Sequence, residues 1–296
     1  MTDRESAGGI IVGVDGSHGS DMAVRWAARE AAMRKATLTL VHMLHFPSEG
    51  WGSWGVTTAP LPDDFAVWQE EEGRRVIADA RRVATEAVSE VTIRGEITHS
   101  RPASTLIDLS KDAQMVVVGC RGQGAVKRVL LGSVSTALVH RAHCPVAIIH
   151  DEFTDAPGSN APVLVGIDGS RASELATSIA FDEASWRGVE LVALHAWSDG
   201  DWGQYPRIDW SDVMAKAEAT LTERLGAWQE RYPDVVVRRI VVLDQPARHL
   251  LEESESSQLV VVGSHGRGGL ADAVLGSVST AVAHGSHTPV IVARQG

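Results

Sequence analysis

The chain has 296 residues, 44% of them apolar and 22% charged, with a formal net charge of −11. This length suits two domains of roughly 150 residues each, and the composition is that of a soluble globular protein. The acidic balance argues against a nucleic-acid partner, whose phosphates call for a basic face. No apolar run approaches the ~18–20 residues that a membrane span needs. The opening "MTDRESAGG" is polar and carries two acids, so it does not read as a secretory signal and a cytoplasmic location is expected. Cys120 and Cys144 are too few for a disulfide framework and fit a reducing compartment.

The first predicted element is a short β-branched run, "GIIVGVD", as expected of a strand buried on both faces of a parallel sheet. "SDMAVRWAAREAAMRKA" follows with helical spacing, placing Met22, Ala23, Trp26, Ala27 and Ala31 on one side and arginines opposite. "TLTLVHML" is a second strand. The next stretch, "HFPSEGWGSWGVTTAPLPDD", is rich in Gly and Pro and reads as a lid carrying Trp51 and Trp54, or as a disordered excursion. Then come a helix over "VIADARRVATEAVSEV", a strand "RGEITHS", and a helix beginning near Pro102. The strand "QMVVVG", a helix from Ser133 and the strand "PVAIIH" complete the unit.

A polar linker, residues 151–162, leads into a second copy of the same pattern. "IIVGVDGS" returns as "VLVGIDGS" at an offset of 153, and "HCPVAIIH" returns as "HTPVIVAR" at an offset of 144. Residues 1–150 and 163–296 therefore read as tandem α/β domains. Each is a doubly wound, five-stranded parallel sheet of the flavodoxin/Rossmann-like kind. Crossover handedness puts any ligand along the edge where the strands end.

The repeat is tightest over "VVVGCRGQGAVKRVLLGSVS" and "VVVGSHGRGGLADAVLGSVS", where 11 of 20 positions agree. The shared skeleton is Gly119, Gly122, Gly132 and Ser133 in one copy and Gly263, Gly266, Gly276 and Ser277 in the other. A glycine where the strand leaves the sheet permits positive φ and close approach of backbone N–H groups to a ligand. A Gly-Ser at a helix start offers unpaired donors and partial positive charge to a phosphate chain, with Ser133, Ser135, Ser277 and Ser279 adding hydroxyls. The alternative is that these residues are turn glycines and helix caps. The motif is neither a Gly-x4-Gly-Lys-Ser/Thr P-loop nor a Rossmann Gly-x-Gly-x-x-Gly. Asp15 and Asp168 end the first strand of each copy beside the glycine loop. Each suits a ribose or adenine donor, or else caps the next helix.

Taken together, "VGVDGS", the Gly-x2-Gly-x9-Gly-Ser skeleton and "CPVAII" resemble the universal stress protein family, and within it the tandem-domain, ATP-binding type known from actinobacteria. That resemblance implies two ATP sites, with Mg as companion ion. It implies Gly13, Asp15, Val41, Gly119, Gly122, Gly132 and Ser133 around the first nucleotide, with Val41 acting through its backbone. Gly166, Asp168, Leu194, Gly263, Gly266, Gly276 and Ser277 take those parts in the second. The adjoining loop and helix positions complete the set: Cys120, Arg121, Gly124, Val134 and Ser135, and then Ser264, His265, Arg267, Gly268, Val278 and Ser279. The family's last strand often pairs with its equivalent, so "PVAIIH" and "PVIVAR" are expected to join the halves; a homodimer of the whole chain is expected beyond that.

Arg121, Lys127 and Arg128 in the first loop face His265, Ala271 and Asp272 in the second, so the first site is expected to bind ATP more tightly. Cys120 reads either as a redox sensor, if Arg121 lowers its pKa, or as a small filler like Ser264. His140 with His143 and His284 with His287 form a spaced pair in each copy; helix-end imidazoles are a better reading than metal ligands. His42 and His195 read as satisfied core or rim residues. No catalytic constellation emerges. The expected role is a nucleotide-dependent regulator in stress response or growth control. A slow ATPase or adenylate-forming enzyme and a nucleotide-free interaction scaffold are the rivals.

Overall fold

The computed structural model describes residues 8–44, 64–122, 131–151, 160–197, 210–266 and 275–294. The first half runs β1 (Gly8–Gly13), α1 (His18–Arg34), β2 (Leu38–Leu44), α2 (Phe65–Ala87), β3 (Ile93–His99), α3 (Pro102–Leu109), β4 (Ala113–Gly119), α4 (Ser133–Arg141) and β5 (Val146–Ile149). The second half repeats it as β6 (Val163–Gly166), α5 (Arg171–Arg187), β7 (Leu191–Trp197), α6 (Trp210–Arg231), β8 (Val237–Leu243), α7 (Pro246–Ser254), β9 (Leu259–Gly263), α8 (Ser277–Gly285) and β10 (Val290–Ala293).

The strands form one ten-stranded sheet in the order β3-β2-β1-β4-β5-β10-β9-β6-β7-β8. Neighbours are parallel except at the centre, where β5 and β10 pair antiparallel with Val290 opposite Ile148 and Val292 opposite Val146. The expected union of the closing strands is therefore present within the chain. Two apolar layers flank the sheet and both run through the junction. Ala147 and Ile291 point into one layer, Ile148 and Val290 into the other, and all four are fully buried.

The repeated Asp-Gly-Ser has a local explanation. Gly16 and Gly169 adopt φ of 78° and 80°, left-handed values that an L side chain resists. The serine that follows is the N-cap: Ser17 Oγ accepts from Ser20 N, and Ser170 Oγ accepts from Ser173 N. Helix α2 begins at Phe65, eleven residues before the run "VIADARRVATEAVSEV" begins at Val76. Its first turns are held by Glu-Arg pairs, such as Glu70 with Arg74 at 2.8 Å, rather than by a full apolar stripe. Residues 45–63, with Trp51 and Trp54, lie outside the described residues.

Helices α1 and α5 meet across the junction through a feature the apolar pattern did not announce. Glu30 and Glu183 are both fully buried. Arg34 bonds Glu30 at 2.6 Å and Glu183 at 2.5 Å; Arg187 bonds Glu30 at 2.7 Å and Glu183 at 2.9 Å. Each guanidinium thus bridges the carboxylates of both halves. Burial pushes both carboxyls up and the arginines pull them down. The balance holds Glu30 down to about 2, while Glu183, also facing the Glu30 charge, is pushed up to about 8.

Candidate nucleotide site

The strand order places β1 beside β4, and β6 beside β9, so the chain reverses direction across the sheet at those pairs. A reversal of this kind leaves a crevice at the strand ends, which is where doubly wound sheets bind ligands. Asp15 and the glycine loop do meet there. A methyl group on Gly122 would collide with Asp15 Oδ2, and one on Gly266 would lie 2.7 Å from Asp168 Oδ2. The other carboxylate oxygen fixes the turn, accepting from Ser17 N at 3.0 Å and from Ser170 N at 2.8 Å in the two copies. Asp15 therefore shapes the turn before the helix, but the cap itself is Ser17.

The skeleton glycines have different reasons to be glycine. Neither Gly119 nor Gly263 has positive φ, contrary to expectation. Instead a methyl on Gly119 would lie 2.8 Å from the Gly19 carbonyl, and one on Gly263 would lie 2.8 Å from the Ala172 carbonyl carbon, because the start of α1 or α5 crosses there. Gly13 and Gly166 make room for leucines from the opposite layer, Leu106 at 2.9 Å and Leu250 at 3.2 Å. Their role is in packing. Gly132 N–H donates to Cys120 O at 2.7 Å and Gly276 N–H to Ser264 O at 2.8 Å, closing each loop on itself.

Those bonds alter the donor set. The Gly132 and Gly276 amides are spent on the loop. Ser135 Oγ donates to Gly119 O at 2.8 Å, and Ser279 Oγ donates to Gly263 O. Both serines are buried, so the expectation that they offer hydroxyls to a ligand is corrected: they tie the helix to the strand end. Ser133 and Ser277 are exposed at the helix mouth. No side-chain cap closes either first turn, which leaves the amides of Ser133, Val134 and Ser135, and of Ser277, Val278 and Ser279, without an intrahelical partner. Val41 O already accepts from Val14 N at 2.9 Å, and Leu194 O from Ile167 N at 2.8 Å, so an adenine there meets carbonyls with one lone pair engaged.

Arg121 does not stand as open countercharge. It pairs with Asp151 at 2.7 Å, which removes much of the advantage expected for the first site. Asp151 also accepts from Cys120 Sγ at 3.6 Å. Burial, not Arg121, decides the state of Cys120 and pushes its thiol up, reversing the lowered pKa that a redox sensor needs. Burial pushes Cys144 up to about 12. Both thiols should react with an aromatic disulfide reagent at pH 7.5 more than about tenfold slower in the folded protein than in denaturant; fast labelling of one thiol in the folded state would contradict this placement. At the equivalent place in the second copy, Ser264 Oγ bonds His265 Nδ1 at 3.0 Å.

Arg224, unmarked in the sequence, reaches from α6 so closely over Gly169 that any side chain there would strike its guanidinium. An arginine on an amphipathic helix reads as solvated, and only the fold brings it to the second crevice. His42 and His195 donate through Nδ1 to Val14 O at 2.8 Å and Ile167 O at 2.6 Å, as satisfied residues. His140 Nδ1 accepts from Leu275 N at 3.4 Å across the junction. Among the described residues no three His, Cys, Asp or Glu side chains could together hold a metal ion. Gly124, Arg267 and Gly268, with Lys127, Arg128, Ala271 and Asp272, lie outside the described residues.

Comparison with known proteins agrees with this architecture. The family model described as "Universal stress protein family" matches residues 8–150 and again 160–294. A universal stress protein of Mycobacterium tuberculosis H37Rv is 54% identical over 291 residues, covering 97% of each chain. One from Mycolicibacterium smegmatis is 52% identical over 291 residues with the same coverage. The crystal structure of a universal stress protein from Archaeoglobus fulgidus is similar in fold, with a TM-score of 0.70 at 21% identity, covering 97% of this chain and 98% of that one. Matched twice along its length, with both copies of the strand-end crevice built alike, the chain belongs to the universal stress protein family as a tandem of two family domains.

Proposed function

We propose that each half binds an adenosine nucleotide, ATP in particular, at its strand-end crevice, and that the chain acts as a nucleotide-dependent regulator rather than as a catalyst. The observation that carries this is the juxtaposition, in both copies, of an aspartate carboxylate with a glycine whose lack of a side chain it requires, beside a helix start with no side-chain cap. A carboxylate accepts from a ribose diol, and first-turn amides donate to phosphate. The two functions sit where one molecule spans both. Mg, which keeps several waters and binds through one or two carboxylates plus phosphates, needs no cluster of protein ligands and would ride on the phosphate chain.

Calorimetric titration of the full chain with ATP tests the reading. The expected result is saturable binding at two sites. Asp15→Ala and Asp168→Ala should each weaken one site by about 10–100-fold through the lost charged hydrogen bonds. No heat at millimolar ATP, or unchanged binding in the double variant, would overturn it. Phosphate release that both substitutions abolish would favour the enzyme reading.

A further inference from the structure

The junction between the halves contains a cavity of about 460 Å³. Arg141 and His143 reach it from the end of α4, Arg171 from the start of α5, His265 from the loop after β9, and Arg294 from the end of β10. Arg294 is held in place by donating to the α4 end, Nε to Ala142 O at 3.0 Å and Nη1 to Val139 O at 2.9 Å. Among the described residues no acidic side chain lines the cavity. In a chain of net charge −11, three guanidiniums thus converge on one hollow, with two imidazoles beside them. The cavity adjoins the nucleotide crevice at Ser264 and His265, but Asp168, Gly266 and Gly276 are not among its walls.

The first half shows what fills the corresponding place. His18 and Gly19 stand there for Arg171 and Ala172, and Cys120 and Arg121 for Ser264 and His265. Into that place the chain turns its own carboxylate: Asp151 lies 2.7 Å from Arg121, accepts a hydrogen bond from Cys120 Sγ at 3.6 Å, and would sit 2.7 Å from a methyl on Gly19. The first half carries a built-in anion where the second presents cations around open space. We infer that the second cavity is an anion site. It takes a compact, multiply charged oxyanion, a phosphate or carboxylate group of a small molecule, which supplies the charge that Asp151 supplies in the first half. Bidentate guanidinium contacts suit either group.

Titration of the full chain with inorganic phosphate, pyrophosphate and citrate tests this and separates phosphate from carboxylate ligands. The comparison is with Arg141→Gln/Arg171→Gln, two exposed side chains at helix ends. At least one of the three anions should bind wild type, and at least tenfold more weakly to the double variant, while ATP affinity stays within twofold. Circular dichroism and unfolding midpoints matching wild type would establish that the variant folds. No binding of any of the three at 10 mM, or equal binding by both proteins, would overturn the inference. Loss of ATP binding together with the anion would overturn the separation of the two sites. The anion result stands whether or not ATP binds.

Discussion

Replacing Arg187 with Met should lower the unfolding free energy by about 3–5 kcal/mol, the cost typical of breaking a buried ion pair from one side. Glu30 and Glu183 are both sealed from water at the α1–α5 contact, and Arg187 bonds both, at 2.7 and 2.9 Å. Met matches the aliphatic stem but leaves both glutamates to share Arg34. Denaturant unfolding reads the difference directly, and a loss under about 1 kcal/mol would mean that water reaches the cluster. Replacing all four members with apolar residues should recover most of the loss, because a desolvated ion cluster is seldom worth more than good packing. The same cluster sets a pH dependence. Glu183 is pushed up to about 8 by burial and the neighbouring Glu30 charge, so its contribution is complete below the unfolded-state value and is lost as pH rises through about 8. Stability should therefore fall on the alkaline side of neutrality, and Glu183→Gln should flatten that slope.

The second large effect separates two glycines of one motif. Gly119→Ala should cost about 1–3 kcal/mol, since its methyl meets the Gly19 backbone at 2.8 Å and neither chain segment can move aside alone. Its loss of nucleotide binding would then follow from a displaced strand exit. Gly132→Ala should be nearly neutral for stability, within about 0.5 kcal/mol. A methyl there lies 3.4 Å from Cys120 O, and the backbone (φ −71°, ψ 165°) suits alanine. Yet it should weaken ATP binding at the first site at least about tenfold, by standing where phosphate must approach the main chain. Thermal denaturation and calorimetry on both variants check the pair. Unchanged affinity in Gly132→Ala would move the phosphates elsewhere; an unchanged midpoint in Gly119→Ala would show room at the crossing that the structure denies.

Much of this was legible before the fold was known. Short β-branched runs and 3.6-residue spacing, punctuated by Gly and Pro, locate the strands and most helix starts, and duplication doubles the signal. Position 119 was marked as special correctly but for the wrong reason. A glycine required by close passage of another segment looks, in sequence, the same as one required by positive φ, and the left-handed glycine was Gly16. Serines 135 and 279 illustrate a related blind spot: a hydroxyl near a ligand-binding motif gives no sign of whether its proton is already spent on a carbonyl. Glu30 and Arg224 are not marked by the sequence because charges on a helix ordinarily face solvent, and only the meeting of α1 with α5, or the reach of α6 over the turn after β6, shows otherwise. Asp151 falls in the polar stretch that the sequence marks as a linker. Its partnership with Arg121 depends on where the chain turns after β5.

The antiparallel seam of β5 and β10 has an evolutionary corollary. An assembly that identical subunits would make by docking their last strands is here made once, covalently, at an effective concentration no separate subunit could match. Exchange of one half for a copy from another molecule is thereby suppressed, and the strand edge that would recruit a further copy is already consumed. With exact symmetry no longer needed for cohesion, each half is released to drift on its own, and an aspartate can face an arginine on one side while its twin position goes without.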